Sequence, residues 1–184
     1  PKYTAIGLGG TFDHFHLGHQ QFLKTASQLA QQLYVGVTVP ELSQQKVAAH
    51  LIQDFPQRLD QLRCFLLENH ISAVVFALSD AYGPTLANSP VQAVAVTEHT
   101  RSGGERINQR RAELDLPALP VHLCPLVRDQ SGEFLSSTRI RLGEVSRDGV
   151  VFAPLLTPGQ HLPPHITQRF QLPQGPVVTT ARAL

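Results

Sequence analysis

Two histidines three residues apart, His16 and His19, sit in the stretch GGTFDHFHLGHQQFL at residues 9–23. Residues at i and i+3 share one face of a helix, and imidazole N–H groups beside a phosphate are donors that can follow charge as it develops in a transition state. Gly9 and Gly10 let the backbone turn sharply and approach a ligand closely. A helix beginning near Leu17 would point free N–H groups and a partial positive charge at the same place. Each such dipole contact contributes only about 0.3–2 kcal/mol, so a polyphosphate held here needs further cationic groups. FLSSTRIRLGEV, residues 134–145, offers them. Ser136, Ser137 and Thr138 are good N-cap residues, and Arg139 and Arg141, just inside the helix they start, present guanidinium forks suited to phosphate oxygens. The competing readings are a structural Gly-rich turn, a metal cluster on the H-x-H-x-x-H pattern of His14, His16 and His19, and a plain capped surface helix.

The elements that must position these residues alternate along the chain. YTAIGL (3–8), LYVGVTV (33–39), SAVVFAL (72–78), QAVAVT (92–97) and PVHLCPLV (120–127) are short, β-branched and apolar almost throughout, as suits parallel strands covered on both faces. Between the first two, Phe22, Leu23, Ala26, Leu29, Ala30 and Leu33 recur at helical spacing over Leu17–Gln32. A second helix is predicted from about Pro56 to Asn69, with Leu59, Leu62, Phe65 and Leu66 inward, and a charged surface helix from about Gly104 to Leu114. Strand and helix in alternation mark βαβ units. The expected fold is α/β, a Rossmann-like doubly wound sheet of five parallel strands, over residues 1–149. Six prolines fall between Pro154 and Pro176, so residues 150–184 are expected to form a Pro-rich tail or linker. The first strand ends where the histidine stretch begins, and ligands of doubly wound sheets sit outside the carboxyl ends of the strands.

Composition narrows the classes. The 184 residues carry 15 basic and 14 acidic side chains, a formal net charge of +1. A dedicated nucleic-acid binder would show a basic excess or stripe. No apolar run approaches the roughly 20 residues of a membrane span, and no secretion signal opens the sequence. Cys64 and Cys124 lie far apart in apolar patterns and read as small core residues rather than a disulfide. The expectation is a cytoplasmic enzyme without nucleic-acid or membrane partners.

GTFDHFHLGH resembles the signature of the nucleotidyltransferases with an H-x-G-H motif, here His16-Leu17-Gly18-His19, and SSTRIR resembles their I-S-S-T-x-x-R loop. LSDAYGPTL (78–86) and VTEHTRSGGERINQRR (96–111) further resemble segments of phosphopantetheine adenylyltransferase in its archaeal and eukaryotic form, and the likeness covers nearly all of residues 3–149. The resemblance implies a nucleotide site at Gly9, Gly10, Thr11, Phe12, His16, His19, Ser136, Ser137, Thr138 and Arg141, with Arg111 (or neighbouring Arg110) as a further phosphate contact. It implies an acceptor site at Thr11, Lys46 and the D-x-x-G-P-T turn of Asp80, Gly83, Pro84 and Thr85, with His16, His19 and Lys46 as the catalytic groups. Asp13 reads as a loop-orienting residue, and His14, His50, His70, His99 and His122 as ordinary histidines.

The implied reaction joins ATP and 4′-phosphopantetheine to give dephospho-coenzyme A and pyrophosphate. Mg2+ would bridge the ATP phosphates, with no ligand cluster of the protein's own. LPPHITQRFQLPQGPVV (162–178) resembles the opening of the archaeal-type GTP-dependent dephospho-coenzyme A kinase, implying a fused or partner kinase. Rivals are a cytidylyltransferase acting on a phosphorylated alcohol and a non-catalytic nucleotide-binding module.

Overall fold

A computed structural model of the chain describes residues 1–86 and 89–152. Its elements run β1 (Tyr3–Gly10), α1 (Leu17–Leu29), β2 (Ala30–Thr38), α2 (Phe55–Glu68), β3 (Ala73–Leu78), β4 (Ala93–Thr97), α3 (Arg101–Glu113), β5 (Val121–Cys124) and the single-turn α4 (Ser137–Arg141). The five strands form one sheet in the order β3-β2-β1-β4-β5, every neighbouring pair parallel. The α/β Rossmann-like architecture expected from the alternation is therefore the architecture observed. Winding reverses between β1 and β4, and that reversal opens a crevice at their carboxyl ends.

The core forms where helices meet the sheet. Phe22, Leu23 and Ala26 of α1 and Leu62, Phe65 and Leu66 of α2 pack with Ile6, Leu33, Val35 and Val37 of the central strands. Burying each large apolar side chain stabilises by about 1.5–3 kcal/mol. Truncating fully buried Leu23 or Leu62 to alanine would cost about 2–5 kcal/mol. Asp54 starts α2, its carboxylate accepting from Gln57 N–H at 2.8 Å with Pro56 in the first turn.

Several local expectations are corrected. The predicted first helix reached Gln32, but α1 stops at Leu29 and the chain passes directly into β2, where Tyr3 pairs with Ala30 and Ala5 with Gln32. Leu29, Ala30 and Leu33 satisfy helical spacing and an inward-facing strand equally well, and sheet pairing decides between them. β5 ends at Cys124 because Pro125 lacks the N–H a ladder needs. The edge strands are not covered on both faces, for Val74, Val121 and Leu123 are exposed. Cys124 is buried as expected, whereas Cys64 lies on the outer face of α2 and is exposed; neither forms a disulfide. Beyond Gly149, Ser146 N–H donates to Val150 O at 2.8 Å and Phe152 N–H to Glu144 O at 2.9 Å. The rest of the predicted Pro-rich tail of residues 150–184, from 153 onward, lies outside the described residues.

Candidate active site

A cavity of about 540 Å³ occupies the crevice at the carboxyl ends of the strands, within the size range of small-molecule sites. Of the predicted nucleotide residues, Gly9, Gly10, Thr11, Phe12, His16 and His19 line it from one side. Ser136, Ser137, Thr138 and Arg141 line it from another, and Lys46, Pro84 and Thr85 complete it. Asp80, Gly83 and Arg111 do not line it.

The histidine pair is built by the start of α1. His16 is the N-cap: its Nδ1 accepts from Gly18 N–H at 3.0 Å, while its own N–H donates to His19 Nδ1 at 3.4 Å. The two rings stack at 3.8 Å between centroids. A Cβ on Gly18 would stand 2.8 Å from the His16 ring, so only glycine leaves that ring room. With Nδ1 accepting, a neutral His16 carries its proton on Nε2, which donates to Ser137 Oγ at 3.2 Å; Ser137 in turn donates to Asp13 O at 2.8 Å. Burial pushes the His16 pKa down to about 4, Arg147 and His14 adding to the fall and Asp13 opposing it. His19 is held well below the ordinary histidine value by burial, then by His16 and Lys46. At neutral pH both rings are therefore neutral donors.

Asp13 is fully buried and joins three segments. Its Oδ1 accepts from Gln53 N–H at 2.9 Å, and its Oδ2 accepts from Arg141 Nη1 at 2.7 Å. Burial raises its pKa, but Gln53, Arg141 and His14 outweigh burial and hold it below the usual carboxylate value. Arg141 also donates to Val47 O at 2.9 Å and Thr138 Oγ1 at 3.2 Å, while its buried Nε–H has no partner among the described residues. Lys46 Nζ donates to Thr11 Oγ1 at 2.6 Å, and Thr38 Oγ1 donates to the same oxygen at 3.2 Å. Both lone pairs of Thr11 are thus taken, and its own proton is left to donate into the cavity. Burial, then Arg141 and Arg58, lower the Lys46 pKa, with Asp13 opposing.

Other predicted roles are reassigned by their partners. The sharp turn expected at Gly9 and Gly10 falls later. Both glycines pair with β2 as the last residues of β1, and the left-handed residues are Phe12 at φ 51° and His14 at φ 45°, a strained arrangement for non-glycine residues. Phe12 is itself in the core, 1% exposed. The start of α1 is less open than expected, because Leu17 N–H donates to Arg147 O and Gly18 N–H to the His16 ring. Arg139 is not a free phosphate fork, since it is held by Asp129, Glu144 and Phe134 O. Arg111 donates from Nε to Pro117 O and from Nη1 to Thr85 O, and Arg110 pairs with Glu113; neither lines the cavity, although Thr85 does. Asp80 shapes its turn by accepting from the N–H groups of Tyr82 and Gly83. His14, read as an ordinary histidine, lies with Nδ1 2.9 Å from Asp13 Oδ1. Sequence reading missed Arg58, buried on the apolar stripe of α2; a lone arginine in line with Leu62, Phe65 and Leu66 was the available signal. Among the described residues no group of three or more His, Cys, Asp or Glu side chains gathers as a metal site.

A hydroxyl- and imidazole-lined cavity at the reversal point of a parallel sheet suits the phosphates of a nucleotide, and the class that the chain falls in is that of the nucleotidyltransferases. Residues 8–143 match the family model described as cytidylyltransferase-like, and the chain belongs to that family. Within it the chain belongs with the phosphopantetheine adenylyltransferases. It is 32% identical over 149 residues to the phosphopantetheine adenylyltransferase of Pyrococcus furiosus, covering 80% of this chain and 93% of that protein. It is 35% identical over 147 residues to that of Saccharomyces cerevisiae, covering 76% of this chain and 48% of the yeast protein. A solved structure of a protein of unknown function from Archaeoglobus fulgidus superposes with a TM-score of 0.60 at 22% identity, over 66% of this chain and 89% of that one, a likeness of fold.

Proposed function

We propose that this chain transfers the adenylyl group of ATP to 4′-phosphopantetheine, giving dephospho-coenzyme A and pyrophosphate. The carrying observation is the 3.2 Å approach of His16 Nε2 to Ser137 Oγ, which joins two phosphate motifs 121 residues apart in the chain at one rim. Phosphopantetheine adenylyltransferase relatives at 30–35% identity support the reaction class.

The acceptor is a phosphate, already anionic at neutral pH, so the reaction needs no general base. Its oxygen attacks the α-phosphorus of ATP while the bond to the bridging oxygen breaks and pyrophosphate leaves. Catalysis then rests on alignment and charge stabilisation. Lys46, with the free proton of Thr11, holds the acceptor phosphate. His19, neutral and with Nδ1 accepting, donates its Nε2–H to the α- and β-phosphates; His16, neutral and stacked on it, joins by exchanging its Nε2–H bond to Ser137 for one to phosphate, and neither ring gives up a proton. Thr138 and the unpartnered Nε–H of Arg141 serve the β- and γ-phosphates; Ser137 joins them by exchanging its bond to Asp13 O for one to phosphate. Pro84 and Thr85 wall the acceptor side, in a turn shaped by Asp80 and Gly83. Both Asp13 oxygens are engaged and no carboxylate cage is present among the described residues, so Mg2+ would enter with ATP and supply charge neutralisation at its phosphates. No helix among the described residues is long and apolar enough to cross a membrane, and the cytoplasm is the proposed location. On resemblance alone the proposal extends to residues 150–184 as a linker toward a fused or partner dephospho-coenzyme A kinase, which would consume the product.

Pyrophosphate release tests the reading, with ATP and CTP each offered 4′-phosphopantetheine and a panel of phosphorylated alcohols. ATP with 4′-phosphopantetheine should be the preferred pair. Preference for CTP, or tight ATP binding without pyrophosphate from any acceptor, would overturn it.

A further inference from the structure

Arg58 stands at the fourth position of α2, 1% exposed, and is the largest fully buried side chain among the described residues. Its neighbours on the same stripe, Leu62, Phe65 and Leu66, are apolar, and an apolar residue would pack there without bringing a charge out of water. The guanidinium is committed to carbonyls from three separate segments. Nη1 donates to Thr11 O at 2.8 Å and to Thr38 O at 3.0 Å, and Nε donates to Gln53 O at 3.0 Å. No carboxylate among the described residues lies within ion-pairing distance of it.

Those three carbonyls are not arbitrary. Thr11 follows the last residue of β1, Thr38 is the last residue of β2, and their hydroxyls together with Lys46 Nζ form the acceptor side of the cavity. Gln53 holds the neighbouring loop, its N–H donating to Asp13 Oδ1 and its Oε1 accepting from His14 N–H. One planar fork therefore sets the spacing of two strand ends and of the loop behind them. It also leaves Lys46, Arg58 and Arg141 near one buried carboxylate, Asp13, with exposed Asp54 the other acid acting on Arg58, an excess of positive charge that an entering phosphate would balance.

We infer that Arg58 is a positioning residue for the acceptor phosphate, locking the ends of β1 and β2 so that Thr11 and Lys46 stand in register with His16 and His19. The inference rests on the adenylyl-transfer reading and adds to it a residue that never touches substrate. Lysine at this position keeps the charge but not the fork, since an ammonium is a point charge without fixed donor geometry. Methionine keeps the length and removes both.

The test measures pyrophosphate release by wild type, Arg58→Lys and Arg58→Met at varied ATP and 4′-phosphopantetheine. Calorimetric ATP binding without acceptor and melting by circular dichroism accompany it. Misplacement by about 1 Å can cost a hundredfold in rate, so Arg58→Lys should lower kcat/KM for 4′-phosphopantetheine roughly 10- to 100-fold, with KM for that acceptor raised, while ATP affinity changes less than about threefold. Arg58→Met should lose more. A purely structural role predicts fewer folded molecules, hence lower kcat, with both KM values unchanged. A folded Arg58→Lys protein with wild-type acceptor kinetics, or with ATP affinity reduced as much as acceptor affinity, overturns the inference. Failure of both variants to fold overturns it too, in favour of a bracket for the whole domain. A wild-type enzyme that releases no pyrophosphate instead sinks the adenylyl-transfer reading itself.

Discussion

Titrating the folded protein from pH 7.5 down to 4.5 should weaken it in proportion to how firmly burial keeps His16 neutral. The ring is 5% exposed, and its pKa lies at about 4 against an ordinary 6.5. Between those values the unfolded chain binds a proton that the folded one refuses, so stability rises with pH across the window. The His16 contribution is complete above 6.5 and is lost as pH falls through about 4. At about 1.4 kcal/mol per pH unit that interval is worth about 3 kcal/mol. His19 is depressed for the same reason and acts with the same sign below 6.5. Asp13, held below 3.8, loses its contribution only in more acid solution, so the two effects separate. Urea denaturation at half-unit pH steps measures the slope, and His16→Asn is the control, because asparagine remains a good N-cap but does not titrate. Between pH 6.5 and 4.5 the variant should lose stability less steeply than wild type, by up to about 1.4 kcal/mol per pH unit. Parallel slopes, or an NMR titration placing folded His16 near 6.5, would refute the assignment of a neutral, proton-donating ring. The same reasoning predicts that pyrophosphate release shows no ionisation of His16 near 6.5.

Three further outcomes follow from the site geometry. Gly18→Ala places a Cβ against the pinned His16 ring; since alanine favours a helix over glycine by about 1 kcal/mol, melting should hold while turnover falls about tenfold or more. Lys46→Ala removes one charge-assisted hydrogen bond of about 1.5–3 kcal/mol, so kcat/KM for the acceptor should fall roughly 10- to 100-fold in steady-state kinetics. ATP affinity should be little changed. Arg141→Met leaves Oδ2 of the buried Asp13 carboxylate without its guanidinium partner and should cost up to about 3–5 kcal/mol by denaturation; adding Asp13→Asn should recover part of that loss, and a purely additive double variant would argue against the pair.

Periodicity along the chain was enough to read five strands and three helices, because strand and helix register depends on neighbours two to four positions away; the two phosphate motifs were read from residue types and from the resemblance to the H-x-G-H nucleotidyltransferases. Ambiguity remained where both periods fitted, as at Ala30 and Leu33, until pairing of Tyr3 with Ala30 resolved it. Of the residues lining the cavity, His16, His19 and Ser137 were legible from side-chain chemistry, since imidazoles and hydroxyls at helix starts suit anions, whereas Lys46 was implied by the family resemblance alone.

Partnerships across the fold were another matter. Arginines look alike in a sequence, and four of them found different occupations here. Arg141 reached Asp13, 128 residues away, while Arg139 settled on Asp129 and Glu144. Arg111 braced the turn at Thr85, and Arg58 bound the ends of two strands. Side-chain identity names what a guanidinium can donate to; which carbonyl or carboxylate lies within 3 Å is decided by how the sheet orders its strands and where the loops come to rest. Motif chemistry is local and was written in the residues, whereas the bracing that aligns it depends on distant backbone oxygens and exists only once the chain has folded.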